Sequence, residues 1–271
     1  MLQRGANIDC KDKNDCTPLI YAASNGDEDL VRLLLEKGAF VNRMDCGDCT
    51  SLTYAAMEGH EGVARLLLEK GANPEYGDTK DYTPLIWAAK KGHEGIFRLL
   101  VEKGANIEHG DDSGCTPLAY ASSRGHEGMV RLLLENGANP GHGEFIDRII
   151  DCTSLLIATF QGHEHVARLL LDNGADIECK DEDSNTPLIH AAKNGDKVVV
   201  KLLLEKGPPD LERKNWHRMT ALACADANEH QDVVSLLLEY GAKREQLPPP
   251  DLSVILSYYS ASYTNEDDEN V

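Results

Sequence analysis

A period of 33 residues runs through this chain and leaves little choice of fold. A threonine recurs at Thr17, Thr50, Thr83, Thr116, Thr153, Thr186 and Thr220, at intervals of 33, 33, 33, 37, 33 and 34 residues. A closing glycine recurs at Gly5, Gly38, Gly71, Gly104, Gly137, Gly174, Gly207 and Gly241 with the same irregularities. One copy reads Thr83-Pro-Leu-Ile-Trp-Ala-Ala-Lys-Lys-Gly-His-Glu-Gly-Ile-Phe-Arg-Leu-Leu-Val-Glu-Lys-Gly104-Ala105. It reads as two short helices broken at Gly92. Pro84 suits a first helical position, where its missing N–H has no partner to lose. Ala88 and Ala89 are small where two helices must approach closely, and Ile96 to Val101 places its apolar residues on one side at helical spacing. Neither helix is long enough to be stable alone. Such a unit holds only when stacked on copies of itself.

A Thr-Pro-Leu start, an Ala-Ala pair, Gly-His, Leu-Leu-Leu and Gly-Ala at this period resemble the ankyrin repeat. The resemblance covers about residues 2–245. It implies an all-α, ankyrin-repeat solenoid of stacked helix-turn-helix units with finger-like hairpin loops. The domain reading is a partial leading repeat over 1–11, then seven repeats over about 12–44, 45–77, 78–110, 111–147, 148–180, 181–214 and 215–247. Residues 248–271 read as a Pro-rich and then acidic tail, mostly disordered. Within the tail, Leu252 to Tyr259 is apolar enough to cover the last helices. The leading fragment lacks helices, so the first full unit is expected either to continue a longer array or to fray.

Net charge is −19, from 46 acidic and 27 basic residues. That argues against nucleic acid as a partner, since phosphate neutralisation needs a basic surface. No apolar run has membrane-spanning length, and the first residues lack an apolar signal core. The expectation is a monomer in cytoplasm or nucleus, with no membrane partner and no cofactor.

Eight cysteines raise disulfides and zinc. Cys16, Cys49, Cys115 and Cys152 share a column just before the threonine, and Cys10 and Cys179 share another. Neighbouring copies of one position lie roughly 8–10 Å apart by helix packing, beyond the ~7 Å Cα limit for a bridge. Reduced thiols and no metal are therefore expected. Histidines after the helix break (His60, His93, His126, His163, His230) sit a repeat apart, too far to share an ion, and the resemblance makes them structural. Arg32, Arg65, Arg98, Arg131, Arg168 and Lys201 each have a carboxylate four residues on, which predicts surface ion pairs.

Asp12, Asp45, Asp78, Asp111 and Asp181 stand at turn starts, where a carboxylate can bond nearby backbone. Asp15, Asp48, Asp81 and Asp151 replace the glycine usual in the family two residues before the threonine, a place where Asp tolerates left-handed backbone. Three departures stand out. Four extra residues within 141–151 bring Phe145, Ile146, Ile149 and Ile150 into one loop, expected either to fold back on the stack or to meet a partner. Gly207-Pro208-Pro209 replaces Gly-Ala. The last unit carries Asp226 and Glu229 at an Ala and a Gly position.

No catalytic signature appears, so the chain is not expected to be an enzyme. By resemblance it is a protein-protein interaction scaffold or adaptor, binding a partner segment, a peptide or a folded domain, in a concave groove. The alternatives are an accessory segment of a larger enzyme or signalling NTPase, or a transcriptional co-regulator. One column marks the groove. Tyr21, Tyr54, Trp87, Tyr120, Ile157, His190 and Cys224 stand at the fifth position from each threonine, where the family usually has a medium aliphatic. Four consecutive aromatics at ~10 Å spacing would make a ribbon of flat apolar surface, unless they are simply core. The candidate partner-binding residues are Tyr21, Tyr54, Trp87 and Tyr120, flanked by Asp48, Asp81, Lys90, Lys91 and Arg124.

Overall fold

The computed structural model describes residues 7–141 and 153–244. The described residues form fourteen helices and no strand, apart from one isolated bridge between Met44 and Thr50. They fall into two compact units, divided between Cys179 and Lys180.

The first unit has five inner helices: α1 (Pro18–Ser24), α3 (Ser51–Glu58), α5 (Pro84–Lys91), α7 (Pro117–Ser123) and α9 (Ser154–Phe160). Each is followed by an outer helix: α2 (Glu28–Glu36), α4 (Glu61–Glu69), α6 (Glu94–Glu102), α8 (Glu127–Glu135) and α10 (Glu164–Asp172). Inner helices pack on inner, and outer on outer, from one repeat to the next. The second unit repeats the scheme with α11 (Pro187–Asn194), α12 (Lys197–Lys206), α13 (Ala221–Ala227) and α14 (Gln231–Glu239). The Ala pairs form the fully buried seam between inner helices, as their size requires. Among the described residues, no helix is long and apolar enough to cross a membrane.

The threonine column starts the inner helices. Thr17, Thr50, Thr83, Thr116, Thr186 and Thr220 each accept the N–H three residues on at 3.2–3.3 Å. Thr153 does not cap; its hydroxyl donates to the Cys179 sulfur at 3.6 Å. The histidine column joins repeats. His60, His93, His126, His163 and His230 lie, through Nε2, 3.0–3.4 Å from a carbonyl at the end of the preceding inner helix. Each ring also rests on that helix's closing glycine: an added Cβ on Gly26 would stand 2.6 Å from His60.

The fingers are joined edge to edge by backbone bonds. Cys46, Thr79 and Asp112 each donate their N–H to the finger before, at 3.0–3.2 Å, and Trp216 does so in the second unit at 2.9 Å. Backbone at Asp15, Asp48 and Asp81 is left-handed, with φ of 59–62°, as the substitution for glycine implies. Ser184 and Arg218 adopt it too.

Two expectations need correction. Arg65 and Arg168 pair backwards, with Glu61 at 2.8 Å and Glu164 at 3.6 Å, while Lys201 pairs forwards with Glu205 at 3.7 Å. The backward carboxylates sit in the first turn, where the helix dipole favours them. Cys115 is disulfide-bonded rather than a free thiol. The spacing rule assumed an unbroken register, and Cys115 precedes the one interval of 37 residues. Cys10, Cys16, Cys46, Cys49, Cys179 and Cys224 form no disulfide. At the Gly207-Pro208-Pro209 departure, Gly207 ends α12 extended at φ −167°, unlike the other described closing glycines. The usual left-handed cap takes an N–H from the residue after the glycine, and Pro208 has none. The loop of Phe145, Ile146, Ile149, Ile150 and Asp151 lies outside the described residues, as does the tail with Leu252 to Tyr259.

Candidate partner-binding face

The four aromatics of the column are all in the first unit, on the solvent side of inner helices α1, α3, α5 and α7. Tyr21 is 50% exposed, whereas Tyr54, Trp87 and Tyr120 are half-buried. They are not a bare apolar ribbon. Each polar head donates to the carboxylate nine residues upstream: Tyr21 Oη to Asp12 at 2.7 Å, Tyr54 Oη to Asp45 at 2.7 Å, Trp87 Nε1 to Asp78 at 3.2 Å, and Tyr120 Oη to Asp111 at 2.5 Å. In the second unit His190 Nε2 meets Asp181 at 2.8 Å in the same register.

The second oxygen of each carboxylate holds the finger turn. Asp45 Oδ1 accepts the N–H groups of Gly47 and Cys49, and Asp111 Oδ1 those of Ser113 and Cys115. One aspartate thus ties a turn to an inner helix. Where the column has no such donor, the aspartate is missing too: Arg148 precedes Ile157, and Asn215 precedes Cys224. Asn215 instead donates to Asn185 at 2.8 Å, and Asn185 to Asp181 at 3.0 Å.

These ties act on ionisation. Burial, then the bond to Asp45, pushes the Tyr54 phenol well above its ordinary value. Tyr120 moves the same way, through burial and its bonds to Asp111 and Tyr82. Burial also pushes the Cys49 thiol up to about 12.

Trp87 and Tyr120 come together with a residue absent from the expected set. Tyr82 precedes Thr83, where the neighbouring units have cysteine. Its ring meets Trp87 edge-on at 5.3 Å between centroids and Tyr120 at 5.5 Å, and the Tyr82 and Tyr120 hydroxyls are 2.9 Å apart. Lys90 extends over all three rings. Burial pushes its pKa down, and Arg124, Lys91 and Lys80 add to that. The break in the cysteine column was the available signal for Tyr82.

The flanking charges are placed around this cluster. Lys91 and Arg124 are exposed at the ends of α5 and α7. Asp48 is exposed on its finger, and Asp81 meets His109 of the next finger at 3.0 Å. Among the described residues, no three His, Cys, Asp or Glu side chains converge to hold a metal ion.

The family model described as "Ankyrin repeats (3 copies)" matches residues 1–78, 74–143 and 152–246, and "Ankyrin repeats (many copies)" matches 118–171. No curated relative matches the chain. Among solved structures it is similar to the crystal structure of the human ASB11 ankyrin repeat domain, at 28% identity and a TM-score of 0.74, covering 85% of this chain and 100% of that one. With the family model matched over most of its length and the helix pairs stacked as described, the chain belongs to the ankyrin repeat family.

Proposed function

We propose that this protein is a non-catalytic interaction module that takes a segment of another protein across the inner-helix face of its first unit. Ankyrin repeats in general are protein-protein interaction modules. The observation that carries the reading is the row Tyr54, Trp87 and Tyr120, half-exposed and fixed in place by Asp45, Asp78 and Asp111. Rings already held in one rotamer lose little entropy on binding, and aromatics supply much contact area for few rotatable bonds. Asp48 and Asp81 on the fingers would take basic side chains of the partner, and Lys91 and Arg124 acidic ones. A mixed-charge segment with an apolar anchor fits this better than a uniformly basic one. Nucleic acid and membrane fit it poorly, and we place the protein as a monomer in cytoplasm or nucleus.

The test is affinity purification with mass spectrometry, then calorimetry with the partner so found. Trp87→Ala should cost about 2 kcal/mol of binding or more, as an interface hot spot does. Lys91→Ala and Asp48→Ala should mainly change on-rate and salt dependence. Arg98→Ala, exposed on outer helix α6, should leave binding intact. Normal binding by a folded Trp87→Ala variant would refute the site.

A further inference from the structure

Tyr82, Trp87 and Tyr120 do more than present apolar area, because together they enclose one cation. The Lys90 Nζ lies 4.7 Å from the Tyr82 ring centroid, 5.0 Å from Trp87 and 5.1 Å from Tyr120. Tyr82 stands nearly perpendicular to both other rings, at 79° and 71°. The three therefore wall a box rather than stack. A ring face is electron-rich and draws a cation within about 6 Å of its centroid. Two walls are enriched further, since Trp87 Nε1–H and Tyr120 Oη–H both donate to carboxylates, Asp78 and Asp111. A proton drawn toward a carboxylate leaves more electron density on the ring that carries it.

The resident is poorly suited to its place. A primary ammonium is compact and strongly hydrated, so Lys90 gives up water to sit among rings. It is also opposed by three like charges, Arg124, Lys91 and Lys80. Lys90 lies in the last turn of α5, half-buried, on a flexible four-carbon stem, and can return its charge to water. An ammonium whose hydrogens are replaced by methyl groups keeps the charge, sheds most of the hydration and fills the box with apolar surface.

We propose that Tyr82, Trp87 and Tyr120 form a binding site for a quaternary ammonium group, with a trimethylated lysine side chain as the protein-borne form, and that Lys90 is its internal competitor. Asp78 and Asp111 behind two of the walls supply counter-charge. That the guest arrives on a partner segment rests on the groove reading above; the site itself does not.

Trp216 is 71% exposed, and the chain has only two tryptophans, so Trp216→Phe leaves Trp87 as the sole reporter. In that background, Trp87 fluorescence is titrated with trimethyllysine amide, lysine amide, choline and the neutral choline isostere 3,3-dimethylbutanol, at constant ionic strength. Saturable binding should follow the trimethyl and choline cations, with lysine amide weaker and the neutral isostere inert. Lys90→Ala should tighten the trimethyl cation roughly tenfold, because the occupied fraction of the box no longer discounts the affinity. Tyr82→Leu should abolish binding while the far-ultraviolet spectrum stays native. Binding of the isostere equal to that of choline, or no gain in Lys90→Ala, overturns the proposal. A trimethyllysine peptide that binds more tightly than the amide assigns the site to a protein-borne cation, and equality assigns it to a free one. Failure of every cation to bind removes this site alone, since the partner calorimetry tests the groove separately.

Discussion

The Tyr120 hydroxyl donates to Asp111 Oδ2 at 2.5 Å, across nine residues of chain. The same register joins Tyr54 to Asp45, a carboxylate that is buried and also accepts from Gly47 and Cys49. The two sides of this contact are not equal. Tyr54→Phe removes one donor and should cost about 1 kcal/mol, whereas Asp45→Ala strands the donors of Gly47, Cys49 and Tyr54, and the Cys16 thiol at 3.8 Å, and should cost about 3 kcal/mol. Urea unfolding of both variants decides it. Equal costs would mean that the aspartate does not organise the turn.

The same contacts predict weakness in alkali. Tyr54 and Tyr120 have folded pKa values above the ordinary phenol value of 10.0, chiefly through burial. The neutral phenol is thus favoured in the folded state. Their contribution is complete below pH 10 and is lost as pH rises from there toward the folded values, because only the unfolded chain ionises. Stability should decline above about pH 10, and the decline should be shallower in Tyr54→Phe and Tyr120→Phe. Parallel melts from pH 8 to 12 test this; identical slopes in the wild type and both variants would refute it.

Asp226 stands where Ala23, Ala56, Ala89 and Ala192 form the seam in other repeats, yet it is only partly buried and lies 3.8 Å from Arg244. Ion pairs this open contribute between nothing and about 1 kcal/mol. Asp226→Ala should therefore be neutral, or stabilising by up to about 1 kcal/mol through better helix propensity. A loss above about 2 kcal/mol in a thermal melt would show a buried, paired carboxylate instead.

The repeat period made the helix pairs legible, because an unstable short helix at fixed spacing can only be stacked. Left-handed backbone at Asp15, Asp48 and Asp81 was legible for the same local reason. The ties of the aromatic column are not legible in the sequence, although both partners stand out there. Turn chemistry accounts for the aspartates and a binding face for the aromatics, while the nine-residue spacing that joins them crosses a turn-to-helix boundary that no helical or strand period describes. The box around Lys90 lay further out of reach. It takes Tyr82 from one finger, Trp87 and Lys90 from α5 and Tyr120 from the next repeat, and column-by-column reading keeps such residues apart. Cys115 shows the opposite limit, since the spacing argument failed beside the one long insertion.

Positive φ occurs here for two reasons that mutation can separate. In the first repeat, Gly38 closes the outer helix at φ +88° with nothing within 4 Å of where a Cβ would stand. Gly26 closes the inner helix at φ +72°, and its Cβ would stand 2.6 Å from the His60 ring of the next repeat. Gly38→Ala should cost only the left-handed strain, about 1 kcal/mol. Gly26→Ala adds a collision with a ring held to the Ser24 carbonyl at 3.0 Å, and should cost about 2–3 kcal/mol. Conversely, Arg218 at φ +61° and Ser184 at φ +60° bear the strain already. Arg218→Gly and Ser184→Gly should each gain about 0.5 kcal/mol, the relief being partly offset by greater freedom of the unfolded chain. Chemical unfolding of the four variants gives the order. The decisive comparison repeats Gly26→Ala in a His60→Ala background, where the collision is gone and only strain is left. If Gly26→Ala costs as much there as in the wild type, the histidine does not dictate glycine at the helix break.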